Sequence, residues 1–215
     1  MGELEQFFGG DIAGVEIKVN GGATHALNTA EEASCEAVIE EGEARSITKA
    51  GKILAKKETP NAVTGHNITL RDLAFTPKVL ADVQGGTITN TSEGGKFQKY
   101  TAPNCGAIKN TKKFDLVVYV EVVGEDGETG EFLKVTLPNC TGSFISPNFK
   151  DGEFFVAEYT IKSRPALNTA LYTIELVEEL PSNIHLLRHP LVEAMELAEE
   201  NNVISQREII KPKNK

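Results

Sequence analysis

The strongest constraint on the fold of this chain is a pair of alternating apolar segments that flank an acidic, glycine-rich turn. The first segment runs from Phe114 to Val123, the second from Phe132 to Leu137, and the sequence GEDGETG lies between them. Successive side chains of a strand point to opposite faces, so apolar residues at every second position predict a strand with one buried face. The positions predicted to share that face in the first segment are Phe114, Leu116, Val118 and Val120. Because Asp126-Gly127 is a favoured hairpin turn, the two segments predict a β-hairpin.

Shorter stretches of similar alternation occur along the chain and are separated by turn residues. The predicted strands are Ile12–Val19, Cys35–Glu41, Ala62–Leu70, two short strands within 87–101, Phe154–Lys162 and Leu171–Val177. In the strand Phe154–Lys162 we expect the inward face to carry Phe155, Ala157, Tyr159 and Ile161. In the strand Leu171–Val177 we expect one face to carry Tyr172, Ile174 and Leu176. Residues 23–34 predict a loop or a short helix, and Asn139–Gly142 predicts a turn. Many short strands with regular turns are typical of a β-sandwich or barrel.

One short helix is predicted beside these strands, between Phe75 and Gly86. Thr76 is a suitable N-cap residue, Pro77 suits the first helical position, and the two glycines after Gln84 end the helix. The residues predicted to form its buried face are Val79, Leu80 and Val83. The predicted fold class is therefore mainly β, a sandwich or barrel with one flanking short α-helix.

Three segments do not follow the strand pattern. Residues 1–11 predict an N-terminal arm, and 42–61 predict a long exposed loop or a splayed hairpin. The second of these segments carries many basic residues, which are Arg45, Lys49, Lys52, Lys56 and Lys57. A helical C-terminal extension is predicted over 181–215, with a helix beginning near His189-Pro190. The predicted organisation is one β domain over 1–180, followed by this extension.

The length and charge of the chain narrow the classes of function. The chain has 215 residues, enough for one sizeable core, and a net charge of −9. An acidic chain is poorly suited to binding nucleic acid, because phosphate recognition depends on Lys and Arg. The N-terminal sequence predicts no secretory signal peptide, and no apolar run is long enough to span a bilayer. We therefore expect a soluble protein that is made in a cytoplasm.

The sequence contains no recognisable catalytic or cofactor motif. GxSxG, HExxH and Walker patterns are absent, so we expect no enzyme activity and no cofactor. Three groups of residues are weak candidates for metal binding. An ordinary structural role is favoured for each of them, so we expect no metal site. These candidates are the pair His185 and His189, the pair Cys105 and Cys140, and an acidic cluster that would suit calcium, made of Glu125, Asp126, Glu128 and Glu131. The alternatives are solvated histidines, partly buried thiols and an exposed hairpin tip.

The stretch from Thr64 to Arg164 resembles phage tail tube (major tail) proteins. Its motifs, in order, are TGHNITLRDLAFTPKVLADVQGG, KYTAPNCGAI, FDLVVYVEVVGEDGETGEFLKVTLPNC, CTGSF and DGEFFVAEYTIKSRPA. They resemble the family's strand and short helix, its proline-containing loop, its long β-hairpin and its late strand. The family shares its fold with type VI secretion tube proteins and pyocin-like particles.

This resemblance implies a structural virion protein. Six copies would form a ring, and stacked rings would form the hollow phage tail tube, through which DNA passes without specific binding. The implied partners are other copies of the chain, a tape measure protein and tail terminator or initiator proteins, with a sheath protein if the tail is contractile. A long, flexible-tailed phage is the preferred tail type, and a contractile tail is the near variant. The protein would be found in the virion tail, and in the host cytoplasm during assembly.

Opposite charges predict a contact between stacked rings. The basic segment would meet the acidic hairpin tip of another copy through Lys52, Lys56, Lys57, Glu125, Asp126 and Glu128. The acidic net charge would also keep DNA from adhering to the lumen, although mild acidity is common among soluble proteins. An alternative from another class is a β-sandwich binding module, such as a receptor- or sugar-binding virion domain. With no Trp and four Tyr, surfaces for stacking on sugars are sparse.

Overall fold

In the computed structural model, residues 7–91, 95–106, 112–124, 127–143, 151 and 156–185 are described. The chain divides into two units, Met1–His185 and Leu186–Lys215, and the second lies outside the described residues. Among the described residues of the first unit, antiparallel strands dominate and one helix is present. The elements are β1 (Phe8–Val19), β2 (Thr24–Leu27), β3 (Ala30–Glu40), β4 (Ala44–Lys49), β5 (Lys52–Glu58), β6 (Ala62–Asp72), α1 (Pro77–Gln84), β7 (Thr87–Asn90), β8 (Phe97–Thr101), β9 (Phe114–Gly124), β10 (Gly127–Gly142), β11 (Ala157–Ser163) and β12 (Thr173–Val177).

Eight of these strands form one antiparallel sheet. Its strand order is β2-β1-β9-β10-β11-β6-β3, and β12 pairs with β10 beside this path. The strands β4 and β5 form a separate two-stranded sheet, as do β7 and β8. The mainly β fold class with one short helix is confirmed, and the described strands form open sheets rather than a closed barrel.

The core lies between the inner face of the large sheet and helix α1. The hairpin of β9 and β10 is confirmed, with Phe114, Leu116 and Val118 buried in the core. The inward positions of β11 are also confirmed, because Ala157, Tyr159 and Ile161 are fully buried. Phe155, at the start of the predicted segment, lies outside the described residues.

Helix α1 forms where the turn residues predict it. Pro77 occupies its first turn, Val79, Leu80 and Val83 are buried, and the Gly85 N–H donates to the Ala81 carbonyl at 2.9 Å. Thr76 is the N-cap residue, although its side chain makes no capping hydrogen bond. The helix approaches β10 so closely that a Cβ on Gly142 would overlap Val83.

The sheet is longer at the N-terminus than the sequence predicts. Strand β1 begins at Phe8, inside the predicted N-terminal segment 1–11, because Phe8 and Gly9 pair with Val123 and Val122 of β9. Residues 23–34, predicted as a loop or helix, form β2 and the first part of β3. In both cases a distant strand supplies the hydrogen-bond partners, and local polarity does not reveal such pairing.

The predicted turn at Asn139–Gly142 is wrong, since these residues continue β10. A register shift between Leu137 and Cys140 bends the strand, with Asn139 at a φ of 51°. The Asn139 N–H donates to Asp115 Oδ1 at 2.9 Å. This β-bulge lets β10 pair first with β12 and then, from Cys140 onward, with β11.

The chain from Pro181 to His185 remains in contact with the β domain. Ile184 is buried, and the His185 N–H donates to Asn28 Oδ1 at 3.2 Å. The predicted boundary at residue 180 therefore precedes a segment, 181–185, that packs on the sheet. His189 and the predicted C-terminal helix lie outside the described residues.

Candidate assembly surfaces

The basic segment 42–61 forms a hairpin that extends the pairing of β3 with β6. The last pair of those strands is Glu40 with Ala62, after which the Thr59 N–H donates to the Glu43 carbonyl at 3.1 Å. Strands β4 and β5 then pair up to a turn at Ala50-Gly51, where both residues have positive φ. Positive φ at both central positions is the geometry that closes two-residue hairpins. We call residues 44–58 the arm.

The arm is exposed along its whole length. Its large apolar side chains are 66%, 66% and 63% exposed, at Ile47, Ile53 and Leu54 respectively. At about 3.3 Å per residue, the ten residue steps from Glu40 to Ala50 extend the hairpin by roughly 30 Å. An isolated two-stranded hairpin is marginally stable in water, and exposed apolar residues add no stability to a single chain. The arm thus has the composition of a surface that is buried against another molecule.

The predicted basic contact residues all lie on the arm. Lys52, Lys56 and Lys57 belong to β5 and are exposed, and Lys56 forms an ion pair with Glu58. Arg45 pairs with Glu43 at 2.7 Å. Such exposed pairs within one chain contribute at most about 1 kcal/mol, so they are easily exchanged for pairs with another chain.

The predicted acidic contact residues lie at the tip between β9 and β10. Glu125 and Asp126 lie outside the described residues. The backbone of Glu128 pairs with Val123, but the structure does not describe the side chain of Glu128. Within a single chain, the structure places the basic residues and Glu128 in two different sheets.

A second candidate surface lies where β12 meets β10. Ile174 pairs with Val135, which pairs with Val118, and Leu176 pairs with Leu133 in the next row. Directly paired residues share a face of the sheet, so these rows continue the core face outward. On β12 that face is largely exposed, since Ile174 and Leu176 are exposed by 58% and 42%. Tyr172, just before the strand, is 48% exposed, and its ring meets His66 edge-on. We call Tyr172, Ile174 and Leu176, together with Leu133 and Val135, the apolar margin.

Acidic residues surround the apolar margin. Glu175, on the opposite face of β12, pairs with Lys134 at 2.6 Å, and the exposed Glu178 and Glu179 follow the strand. Since Val177 pairs with Phe132, the chain leaves β12 at the end of β10 that is nearest the β9–β10 tip. The other edge of β12 meets no strand among the described residues.

The buried carboxylate of Glu16 has several hydrogen-bond partners and serves a structural role. The Tyr119 hydroxyl donates to it at 2.9 Å and the Asn183 amide at 3.0 Å, and Lys18 lies 2.9 Å away. Burial alone raises the pKa of Glu16, but these hydrogen bonds outweigh burial and hold the pKa below its ordinary value. Glu16 thereby joins β1, β9 and the segment 181–185.

Two other carboxylates, the half-buried Asp82 and the buried Asp72, also join elements. Asp82 of α1 contacts His25 of β2 at 2.7 Å and Lys112 at 2.6 Å, and these partners outweigh burial to lower the pKa of Asp82. Asp72 accepts hydrogen bonds from Thr29 and the backbone of Ala74. Burial nevertheless raises the pKa of Asp72 above its ordinary value.

The described residues show no grouping that would hold a metal. No cluster of three His, Cys, Asp or Glu side chains occurs in the described part of the chain. Cys140 is buried, whereas Cys35 and Cys105 are exposed, so the expectation of a partly buried thiol at Cys105 is wrong. None of the helices within the described ranges is long and apolar enough to cross a membrane.

A shallow cavity of about 500 Å³ lies beside the bulge of β10. Its polar lining includes Asn20, Lys113, Asp115, Asn139 and Thr169. Asp115 is already engaged by the backbone of Asn139. This cavity does not test the prediction that the protein has no enzyme activity.

Sequence reasoning missed the apolar residues on both surfaces. Ile47, Ile53 and Leu54 interrupt a basic segment, and this is the signal that could have identified an amphipathic hairpin. For β12 the shared face of Ile174 and Leu176 was predicted correctly. Periodicity alone does not distinguish a face that is buried in the core from one that awaits another chain.

No family model and no curated protein matches this chain. Among solved structures, it is similar to a chain of an extracellular contractile injection system, the PVC sheath-tube complex in its extended state. That match has 14% identity and a TM-score of 0.36, and it covers 76% of this chain and 88% of the other. A second similar structure is the tube terminating cap of the anti-feeding prophage, at 13% identity, a TM-score of 0.31 and the same coverage.

Proposed function

We propose that this protein is a structural subunit that assembles with copies of itself into a hollow tail tube. The observation that carries the proposal is the arm, an exposed hairpin whose three large apolar side chains are mostly solvated in a single chain. Exposed apolar surface of this kind marks an interaction site rather than a stable monomer surface. The form of the assembly, stacked rings of six copies, follows from the sequence resemblance.

Within this proposal the protein performs no chemistry. DNA passes through the tube without specific binding, in keeping with the net charge of −9. The partners of the tube are a tape measure protein and terminator or initiator proteins. A sheath surrounds it if the tail is contractile. The assembled subunit resides in the virion tail.

In this proposal, Lys52, Lys56 and Lys57 of one ring face acidic residues of the next ring, among them Glu125, Asp126 and Glu128. Replacing the three lysines with glutamate should prevent or strongly slow tube growth, because attraction between rings becomes repulsion. Growth is measured by light scattering and by negative-stain microscopy of the purified protein. Steering by charge weakens with salt, so the wild-type rate should fall as ionic strength rises.

A triple variant elsewhere on the surface controls for net charge. Lys78, Lys99 and Lys162 are exposed and lie outside the arm, so their replacement with glutamate gives the same total charge. We expect this control to form tubes at a rate close to wild type. Equal growth of both triple variants would overturn the stacking contact, and tubes absent even from the wild type would count against the function.

One observation favours the second candidate function, a binding module. Phe75 and Phe97 form an exposed edge-to-face pair with ring centroids 6.1 Å apart, beside the start of α1. Exposed aromatic rings are typical of sites that bind sugars or receptors. Binding of host-surface glycans that is lost in Phe97→Ala, by a protein that stays monomeric, would support this candidate instead.

A further inference from the structure

We propose that the arm of one copy docks on the apolar margin of another copy, adding its strands to the free edge of β12. This inference rests on the proposed self-assembly and names the acceptor surface for the arm. Strand addition suits an exposed sheet edge, because backbone hydrogen bonds supply affinity and alternate side chains supply specificity.

The acceptor surface is an unfinished part of the core face. Across the row Val15–Val118–Val135–Ile174, the first two residues are buried, Val135 is half-buried and Ile174 is exposed. The core therefore ends at β12, although the apolar pattern continues through it. One more apolar layer on this face would bury Ile174 and Leu176 as fully as their row partners.

The arm carries large apolar side chains on both of its faces. Ile47 pairs with Ala55, and the next residue, Thr48, pairs with Ile53, so Ile53 lies on the face opposite Ile47 and can meet an acceptor surface on that side. A register shift between Ile47 and Thr48 increases the local twist of the hairpin. Burial of Ile53 against the margin would remove apolar surface from water and so favour association.

Charge favours this pairing over a contact between two arms. Between residues 43 and 58 the chain has five basic and two acidic side chains. The apolar margin is flanked by Glu175, Glu178 and Glu179, and the β9–β10 tip adds more acids at the same end of the sheet. An arm seated on β12 therefore brings its lysines close to the predicted acidic contact residues.

The margin and the arm belong to different copies in this contact. In the single chain Ile53 and Ile174 are both largely exposed, so neither covers the other. The arm extends from the pairing of β3 with β6, whereas β12 pairs with β10. A contact between copies through unlike surfaces is heterologous, and repetition of such a contact builds rings or filaments.

Site-specific cross-linking between two different chains tests the contact. Both chains carry Cys35→Ser and Cys105→Ser to remove the exposed thiols, and the buried Cys140 is retained. One chain also carries Ile53→Cys and the other, with a size tag, carries Leu176→Cys. After mixing and assembly, a short bismaleimide should link the two chains. In a matched control, Leu167→Cys, at a leucine that is 95% exposed outside the margin, replaces Leu176→Cys and should give little product.

The outcomes separate this inference from the proposed function. Assemblies that form normally without a link from Ile53→Cys to Leu176→Cys, or with equal linking to Leu167→Cys, would overturn the inference and leave the tube function standing. A specific link without rings or tubes would support the contact and contradict the tube. As a second measurement, Ile174→Lys should raise the concentration needed for assembly at least about tenfold, whereas Leu167→Lys should not. Equal effects of these two substitutions would also overturn the inference.

Discussion

At the scale of single residues, Glu16 shows how a buried charge can stabilise this fold. Its carboxylate accepts hydrogen bonds from Tyr119 and Asn183, which belong to β9 and to the segment 181–185. Removal of one partner of a buried carboxylate leaves the charge poorly compensated and typically costs about 1–3 kcal/mol. We therefore expect Tyr119→Phe to lower the free energy of unfolding by that amount at neutral pH, measured by urea denaturation.

The lowered pKa of Glu16 also predicts a pH dependence. A carboxyl group whose pKa is lower in the folded than in the unfolded state stabilises the fold above its ordinary pKa of 4.5. That contribution is lost as the pH falls through the folded pKa. Glu16→Gln should therefore show a shallower loss of stability in acid than the wild type. The exposed Glu158→Gln is the control, and an identical pH profile for Glu16→Gln and wild type would contradict the assignment.

Gly14 and Ile184 form a second test at residue scale. A Cβ at Gly14 would lie 2.6 Å from Ile184 Cγ2, so the segment 181–185 must shift when Gly14 is replaced. Gly14→Ala should destabilise the protein by about 1–3 kcal/mol through overpacking. Ile184→Ala creates space at the same contact, so the double variant should be more stable than the sum of the single effects predicts. Additive effects in the double-mutant cycle would show that the two residues are not coupled.

At the scale of elements, the arm should be separable from the stability of the β domain. All residues of β4 and β5 are exposed, and none belongs to the core. Because Glu43 and Thr59 are already paired, residues 44–58 can be replaced with an Asn-Gly turn. We expect this armless chain to keep the wild-type unfolding temperature within a few degrees while losing assembly. A large loss of thermal stability would mean that the arm is part of the fold.

The elements also show what local sequence could and could not predict. Helix α1 was predicted well because Pro77, its apolar face and the glycines that follow are local signals. The start of β1 at Phe8 and the continuation of β10 through Asn139 depend on distant pairing partners and on a bulge, which local patterns do not encode. The arm was predicted only as a loop or hairpin, and its basic site residues were found by charge. The apolar margin required the sheet register.

At the scale of the whole molecule, charge and apolar surface are unevenly distributed. The chain has a net charge of −9, yet the arm is basic, and apolar residues remain exposed on both the arm and β12. The two surfaces are unlike, so the proposed contact between them is heterologous. Heterologous contacts close into rings when the rotation allows and otherwise extend as filaments. Self-assembly is therefore the property that the proposed function requires.

Self-assembly can be observed by negative-stain electron microscopy of the purified full chain over a range of concentrations. We expect rings or tubes of uniform width for the wild type, and isolated particles for the chain in which residues 44–58 are replaced. Tubes that form equally well without the arm would contradict the role of the arm. A wild-type chain that remains strictly monomeric at high concentration would contradict the proposed self-assembly.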